Sequence, residues 1–342
     1  MSGLRLGVLD QSPIRAGATP AQALAETIEL ARRTDELGYH RFWVAEHHGS
    51  AAFAGSSPEI MVTRIAAATR HIRVGSGGVM LTHYSPYKVA ENFKVLENLF
   101  PGRIDLGIGR APGSDGITAA ALAYGSSIGA DYFPAKVGDL RAFLADRTPF
   151  TEALSPVRAT PAVQQQPEVW ILGSSDQSGL LAAHYGLPFS FAHFINAPEC
   201  GAAIAAYRRT YRPSPEHPEP RVNIGVFALC ADNPQDAEDM AACRDLWRLR
   251  VERGEFGTYP SIEEARAYRY SDEERARIDE RRGKQILGDA ATVRTRLQSL
   301  ADEFGAEEIV VLSITPTFEQ RLRSYELLAG AFGLGTPDAR AA

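Results

Sequence analysis

Apolar residues recur along the chain in short continuous runs, and longer amphipathic stretches separate these runs. The runs predict eight β-strands, at 4–10, 42–45, 72–79, 104–109, 169–172, 188–191, 222–229 and 309–312. Between them apolar residues recur every three or four positions, as Leu24, Ile28 and Ala31 do, which indicates helices. Near-continuous apolar strands that alternate with helices are typical of a parallel sheet covered on both faces.

Eight strand–helix units favour a closed (β/α)8 TIM barrel, and we expect one such domain over residues 1–335. No GxGxxG motif follows the first strand, which disfavours the doubly wound alternative. In a barrel of this kind the active site lies at the carboxyl ends of the strands. Catalytic and binding residues are therefore expected among the residues that follow each predicted strand.

Three segments depart from the strand–helix pattern. The apolar pattern fades at 253–282, where we expect an inserted, mobile excursion after the seventh strand. Glycine and alanine dominate 111–130, which predicts a long loop, and 336–342 is expected to be a frayed tail.

Composition narrows the range of functions. Among 342 residues, 44% are hydrophobic and 23% charged, which is typical of a globular protein, and no apolar run is long enough to predict a membrane span. The net charge of −6 gives no reason to expect nucleic acid or a membrane surface as a partner. The three cysteines, Cys200, Cys230 and Cys243, do not form CxxC pairs, so we expect a reducing cytoplasm instead of a disulfide framework.

An acid and two histidines, Glu46, His47 and His48, directly follow the second strand. Adjacent side chains on an extended chain point to opposite sides, so at most one histidine readily faces a given pocket. Metal ligation, acid–base catalysis and a structural role are all open from these residues alone. The HExxH motif is absent, and there is no GxSxG elbow between a predicted strand and a helix. A histidine beside a carboxylate favours acid–base chemistry over a metal site.

A second candidate site is an anion site after the fifth strand. Gly173, Ser174 and Ser175 lie between a strand and a helix, where free backbone N–H groups and two hydroxyls can bind phosphate. The alternative is an ordinary serine N-cap. Ser178 lies one turn further on, and Arg110, which ends the fourth strand, adds positive charge, so the set together favours phosphate.

Glycines interrupt the third strand at Gly75, Gly77 and Gly78. A glycine inside a strand marks a bulge, a weak strand end or the close approach of a flat ligand to the backbone. The spacing around these glycines does not match a P-loop.

With these motifs in place, the chain resembles the bacterial luciferase-like, flavin-dependent monooxygenases, in the group related to the luciferase alpha subunit. The resemblance covers nearly the whole chain. It is carried by GYHRFWVAEHH at 38–48, VGSGGVML at 74–81, Ser-Pro at 85–86, PGRIDLGIGR at 101–110 and WILGSS at 170–175. The order and placement of the motifs make the resemblance specific, whereas each motif alone is weak.

The resemblance implies a homodimeric enzyme that receives reduced FMN from a separate NAD(P)H:flavin reductase. Molecular oxygen would form a flavin 4a-hydroperoxide that oxidises a small hydrophobic substrate such as an aldehyde or ketone. The catalytic histidine of the family falls on His47, while His48 is left with a structural role. Gly77 and Gly78 fall where the family has a non-prolyl cis peptide under the isoalloxazine ring.

The same resemblance assigns cofactor binding to the strand-end residues Arg110, Gly173, Ser174, Ser175 and Ser178. One departure is Gly109, which replaces a reactive cysteine of the luciferase alpha subunit and bears on light emission more than on flavin use. Two alternatives stay open: a deazaflavin-dependent oxidoreductase and a non-catalytic flavin-binding protein. A metal-dependent barrel hydrolase is a fourth, more distant hypothesis for the function.

Overall fold

A barrel of parallel strands forms the centre of the computed structural model, which describes residues 3–125, 129–149, 151–282 and 285–335. Its eight strands are β1 (Arg5–Asp10), β2 (Arg41–Val44), β3 (Arg73–Met80), β4 (Ile104–Gly109), β5 (Glu168–Gly173), β6 (Phe189–Ala192), β7 (Val222–Cys230) and β9 (Glu308–Leu312). The order β1-β2-β3-β4-β5-β6-β7-β9 closes because β9 pairs with β1. The predicted (β/α)8 barrel is confirmed. A further short strand, β8 (Ile286–Gly288), pairs with β7.

Helices connect the strands and surround the barrel. They are α1 (Pro20–Leu37), α2 (Pro58–Ala66), α3 (Pro86–Leu99), α4 (Gly116–Ala123), α5 (Phe133–Leu144), α6 (Asp176–Tyr185), α7 (His193–Asn196), α8 (Cys200–Thr210), α9 (Pro234–Glu252), α10 (Ile262–Ala267), α11 (Asp272–Arg282), α12 (Ala290–Phe304) and α13 (Phe318–Phe332). Thr19 and Gln22 form a capping box at the start of α1, and Gly38, with φ 86°, ends that helix. Within the described ranges, no helix combines the length and the apolar character that a membrane crossing requires.

The barrel buries both faces of its strands, which explains the continuous apolar runs. Along β1, Leu6 and Val8 pack in the layer beneath the helices, while Leu9 packs inside the barrel together with Trp43. Successive side chains of a strand point to opposite faces. A strand between two apolar layers therefore has no polar face to alternate with.

A buried ion network fills the barrel interior near the amino-terminal ends of the strands. Arg41 is fully buried and donates to Asp105 (Nη1···Oδ2 2.8 Å) and to Glu308 (Nε···Oε1 2.8 Å). Its guanidinium carbon lies 5.0 Å from the ring centroid of Trp43 and 4.7 Å from that of Trp170. Because the charges are paired and the cation contacts two aromatic rings, this end of the barrel is filled by a compensated cluster.

Part of the segment 111–130 is helical, so the expectation of a loop throughout it is wrong. Asp115 begins α4 by accepting hydrogen bonds from the backbone N–H groups of Ile117 and Thr118. None of the residues of α4 is buried. Its alanine-rich sequence therefore lacks the pattern that predicts an amphipathic helix, in which apolar residues recur every three or four positions among polar ones.

The segment 253–282 contains α10 and α11, and it contributes the buried residue Tyr259 to the interior cluster. Apolar residues are scarce in α11, but Arg282 forms an ion pair with Asp245 at 2.6 Å on α9. Charge pairing therefore holds this helix in place where an apolar face would ordinarily do so. That the segment moves stays a prediction, and the expected tail at 336–342 lies outside the described residues.

Candidate active site

The carboxyl ends of four neighbouring strands bring the predicted site residues to one edge of the barrel. His47 follows β2, Gly77 and Gly78 lie in β3, Arg110 follows β4 and Ser174 follows β5. Parallel strands place their carboxyl ends at the same edge. We call this edge, formed by the residues after β2, β4 and β5 and by the glycines of β3, the barrel mouth.

His47 is partly buried in the barrel mouth, and one of its ring nitrogens is free. Its imidazole packs on Phe53 with the ring centroids 4.6 Å apart, and Nδ1 is buried without a hydrogen-bond partner among the described residues. Burial, with a smaller contribution from His48, lowers the pKa of His47 to about 4. At pH 7 the imidazole is therefore neutral, with a nitrogen that can exchange a hydrogen bond or a proton with a bound molecule.

His48 has different partners and belongs to a buried network around Glu46. Oε1 of Glu46 lies 2.7 Å from His48 Nε2 and accepts from the Tyr84 hydroxyl at 2.7 Å. Oε2 of Glu46 accepts from the backbone N–H of Met80 at 3.0 Å. Burial and the bond to Glu46 raise the pKa of Tyr84, which keeps its hydroxyl a donor. The network joins the end of β2 to the end of β3, and sequence reasoning missed Tyr84 because no motif marks it.

The Gly77–Gly78 peptide bond is cis, in the place where the resemblance implies a cis peptide. A Cβ atom on Gly77 would lie 2.6 Å from Cδ1 of Leu9, and a Cβ atom on Gly78 would lie 2.7 Å from the carbonyl oxygen of Gly107. Both distances are shorter than ordinary contacts allow. Glycine is required at Gly78, where the neighbour is backbone, whereas a side chain at Gly77 would have to displace the end of Leu9. The result is a stretch of β3 without side chains, which a flat ligand can approach closely.

The start of α6 gathers hydrogen-bond donors. Ser175 is the N-cap residue, and its hydroxyl makes no capping bond but lies 3.4 Å from the hydroxyl of Ser178. Arg110 reaches the same helix and donates to Oε1 of Gln177 at 3.0 Å. The N–H of Gln177 already donates to Oδ1 of Asp176 at 2.7 Å. The other backbone N–H groups of the first turn, two hydroxyls and a guanidinium form a donor set that suits a phosphate.

Gly173 and Ser174 support this donor set by shape and by backbone position. A Cβ atom on Gly173 would collide with the side chain of Ser178, so glycine is required there. The carbonyl oxygen of Ser174 accepts from Nδ2 of Asn196 at 3.1 Å. Asn196 lies at the end of α7, and nothing in the sequence singled it out.

Polar residues at other strand ends have structural partners. Asp10 at the end of β1 accepts from Arg321 at 2.7 Å and from Thr27 at 3.1 Å. Nε2 of His83 lies 2.7 Å from the carbonyl oxygen of Pro112. Over the described part of the chain, no group of three or more His, Cys, Asp or Glu residues is placed to hold a metal ion.

Side chains from distant parts of the sequence add an aromatic wall to the barrel mouth. The ring centroids of Phe53 and Trp247 are 5.7 Å apart, and those of Trp247 and Tyr259 are 6.2 Å apart. One turn before Trp247, Arg244 places its guanidinium carbon 3.1 Å from the ring centroid of Phe227. We call Phe53, Phe227, Trp247 and Tyr259 the aromatic wall. Sequence analysis did not identify it, because a helical pattern does not tell which loop a helix will contact.

Comparison with known proteins agrees with this geometry. A family model described as luciferase-like monooxygenase matches residues 4–129 and 140–316. A Bacillus subtilis (strain 168) protein named YwcH is 46% identical over 96% of this chain and 98% of its own length. The N-acetyl-S-alkylcysteine monooxygenase of the same strain is 36% identical over 96% of this chain and 98% of its own length. The crystal structure of apo-MsnO8 superposes with a TM-score of 0.89 at 39% identity, covering 97% of this chain and 99% of that chain.

More distant structures share the fold but differ in cofactor. The oxygenating constituent of 3,6-diketocamphane monooxygenase from Pseudomonas putida, in complex with FMN, has a TM-score of 0.69 at 17% identity, covering 96% of this chain and 97% of that chain. An F420-dependent secondary alcohol dehydrogenase has a TM-score of 0.71 at 15% identity, covering 96% of this chain and 99% of that chain. At such identities these likenesses establish the fold alone. The family model and the full-length relatives go further, and the chain belongs to the luciferase-like monooxygenase family.

Proposed function

We propose that the protein is an FMN-dependent monooxygenase that uses reduced FMN and molecular oxygen to oxidise a small organic substrate such as an aldehyde or ketone. Membership of a monooxygenase family supports the reaction class. The observation that carries the choice of cofactor is the donor set at the start of α6, two strands away from the side-chain-free segment of β3. Reduced FMN supplies electrons to oxygen and delivers the activated oxygen to the substrate.

In this proposal the phosphate of FMN binds at Arg110, Ser175 and Ser178, and its ring approaches Gly77 and Gly78. The hydroxyl of Ser175 makes no capping bond, so it is available to donate to a phosphate oxygen. Arg110 is exposed and donates one N–H group to a neutral amide, and no carboxylate among the described residues forms an ion pair with it. A dianionic phosphate at a helix N-terminus is stabilised by both features.

His47 is the proposed catalytic residue, in a position to hold or move a proton at Nδ1. This nitrogen is buried without a hydrogen-bond partner in the described part of the chain, so a reacting group can provide one. Phe53, which packs on His47, also packs against the interior apolar cluster that includes Leu9 and Trp43. Such surroundings would exclude the water that diverts activated oxygen from the substrate.

The proposal includes a separate NAD(P)H:flavin reductase, a homodimer and a cytoplasmic location. Cys200, Cys230 and Cys243 are free and buried, which fits a reducing compartment.

The phosphate assignment is tested by comparing FMN with riboflavin, which lacks the phosphate. Ser175→Ala should weaken binding of FMN about 10-fold, because a hydrogen bond to a charged group contributes about 1.5 kcal/mol or more. Its riboflavin affinity should stay unchanged. Ser57→Ala is the matched control, since Ser57 is the N-cap of α2 and also makes no side-chain capping bond. Flavin fluorescence measures both affinities. Equal losses of affinity for FMN and for riboflavin would contradict a phosphate role.

Catalysis is tested by oxygen consumption with a flavin reductase, NAD(P)H and a panel of small carbonyl compounds. His47→Ala should lose turnover while its FMN affinity and melting temperature are preserved, and unchanged turnover would remove His47 from the mechanism. Tight binding of the deazaflavin F420 in place of FMN would favour the deazaflavin-dependent alternative. Tight FMN binding without reductase-coupled oxygen use would favour a protein that stores flavin.

A further inference from the structure

A half-buried cation, whose Nε atom is fully buried, has no acidic partner among the described residues and faces the barrel mouth across from Gly77 and Gly78. Arg244 of α9 stacks on Phe227, which is an interior residue of β7. In the closed strand order, β7 is the fourth strand from β3 in either direction. Arg244 therefore lies across the barrel from Gly77 and Gly78, whereas the phosphate donors follow β4 and β5, which lie between β3 and β7.

Arg244 has no direct ion-pair partner among the described residues, and Asp245 attracts its charge only at longer range. Its Nε is buried without a partner, and no described residue forms a salt bridge or hydrogen bond with its guanidinium. The adjacent carboxylate, Asp245, is paired with Arg282 at 2.6 Å. Burial lowers the pKa of Arg244 to about 9, against an ordinary value above 12. An unpaired buried cation is unfavourable unless a ligand supplies the missing anion.

Two further polar atoms near Arg244 lack partners. Nε1 of Trp247, one turn along α9, is buried without a hydrogen-bond partner in the described structure, as is Nδ1 of His47. Ring contacts connect them, because Phe53 packs on His47 at 4.6 Å and on Trp247 at 5.7 Å. The free guanidinium and indole groups are donors, and the surfaces between them are aromatic.

We propose that Arg244, with Trp247, binds a carboxylate of the substrate, so that the substrate is an organic acid whose apolar body lies against the aromatic wall. A planar guanidinium matches a carboxylate in shape and charge. One arginine suits a monoanion better than the dianionic phosphate, for which the start of α6 offers more donors. We therefore expect an amphipathic substrate, with a carboxylate and an apolar body, in place of the purely hydrophobic substrate that the resemblance implies. The inference rests on the proposed function only in identifying the bound acid as the substrate.

Hexanoate and hexanamide, similar in size and different in charge, are suitable probes for calorimetric titration of the full-length protein at pH 8. Wild-type protein should bind hexanoate at least about 10-fold more tightly than hexanamide, as expected for a hydrogen bond to a charged group. Arg244→Gln should lose this preference while its affinity for FMN stays unchanged. Arg248→Gln is the matched control, since Arg248 is exposed one turn further along α9 and should retain the preference.

Arg244→Lys keeps the charge without the planar fork and should retain part of the preference, which provides a second variant if Arg244→Gln does not fold. Equal affinities of the wild type for the two probes would overturn the inference. So would a loss of FMN affinity in Arg244→Gln with the hexanoate preference intact, because Arg244 would then serve the flavin. A hexanoate preference without FMN-dependent oxygen use would refute the proposed function and leave the carboxylate site standing.

Discussion

Acid should destabilise the wild-type protein through His47, and His47→Asn should remove this effect. An unfolded histidine takes up a proton near pH 6.5, whereas the pKa of folded His47 is about 4. Between these values the unfolded state binds more protons than the folded state. The free energy of unfolding therefore falls as the pH falls from 6.5 towards 4. Asparagine keeps polar hydrogen-bonding atoms at this position but does not titrate.

The expected magnitude follows from the difference between the two pKa values. At pH 7 both states carry a neutral His47, and the contribution of this residue is close to zero. At pH 5, which is 1.5 units below the unfolded pKa, the loss is about 2 kcal/mol, since each unit corresponds to about 1.36 kcal/mol. Below pH 4 the loss would approach about 3.4 kcal/mol, the value for the full difference of 2.5 units between 6.5 and 4.

Urea denaturation of the wild type and of His47→Asn at pH 7, 6 and 5 measures this effect. The difference in the free energy of unfolding between the two proteins should change by about 2 kcal/mol from pH 7 to pH 5. Burial also lowers the pKa values of His40, His193 and His217, but these residues are present in both proteins and their effects cancel. A difference that stays constant between pH 7 and pH 5 would refute a buried, neutral His47.

Two packing features lead to further predictions, both measurable by urea denaturation. Gly78→Ala should lose about 1–3 kcal/mol of stability because its Cβ would lie 2.7 Å from a backbone oxygen, whereas Gly109→Ala, whose Cβ meets only the flexible Met80 side chain at 3.5 Å, should change stability by less than about 0.5 kcal/mol. Asp105→Asn should lose about 3–5 kcal/mol, because it leaves a fully buried arginine short of a carboxylate. Asp232→Asn breaks an exposed pair and should destabilise the protein far less. Equal effects within either pair would contradict the packing argument.

The barrel could be predicted from sequence because each kind of burial gives a distinct pattern. Strands buried on both faces appear as continuous apolar runs, and helices buried on one face have an apolar residue every three or four positions. The strand ends could be predicted for the same reason, and with them the positions of His47 and Ser175. Other elements carry no such period. The alanine-rich α4 buries no residue, and α11 is held by ion pairs of charged residues such as Arg282, so neither pattern indicates an apolar face.

The two sides of the barrel mouth differ in how far sequence can predict them, and the reason is geometric. The proposed cofactor residues sit on or directly after β3, β4 and β5, whose spacing and register are set by the hydrogen-bonded barrel. The aromatic wall and Arg244 come from a loop and a helix, whose positions depend on tertiary packing that no local period records. A change in those segments can alter which ligand binds across from the proposed flavin site without disturbing the barrel. The reaction class can therefore be predicted from this sequence more easily than the substrate can. The substrate has to be inferred from tertiary contacts such as that of Arg244 with Phe227.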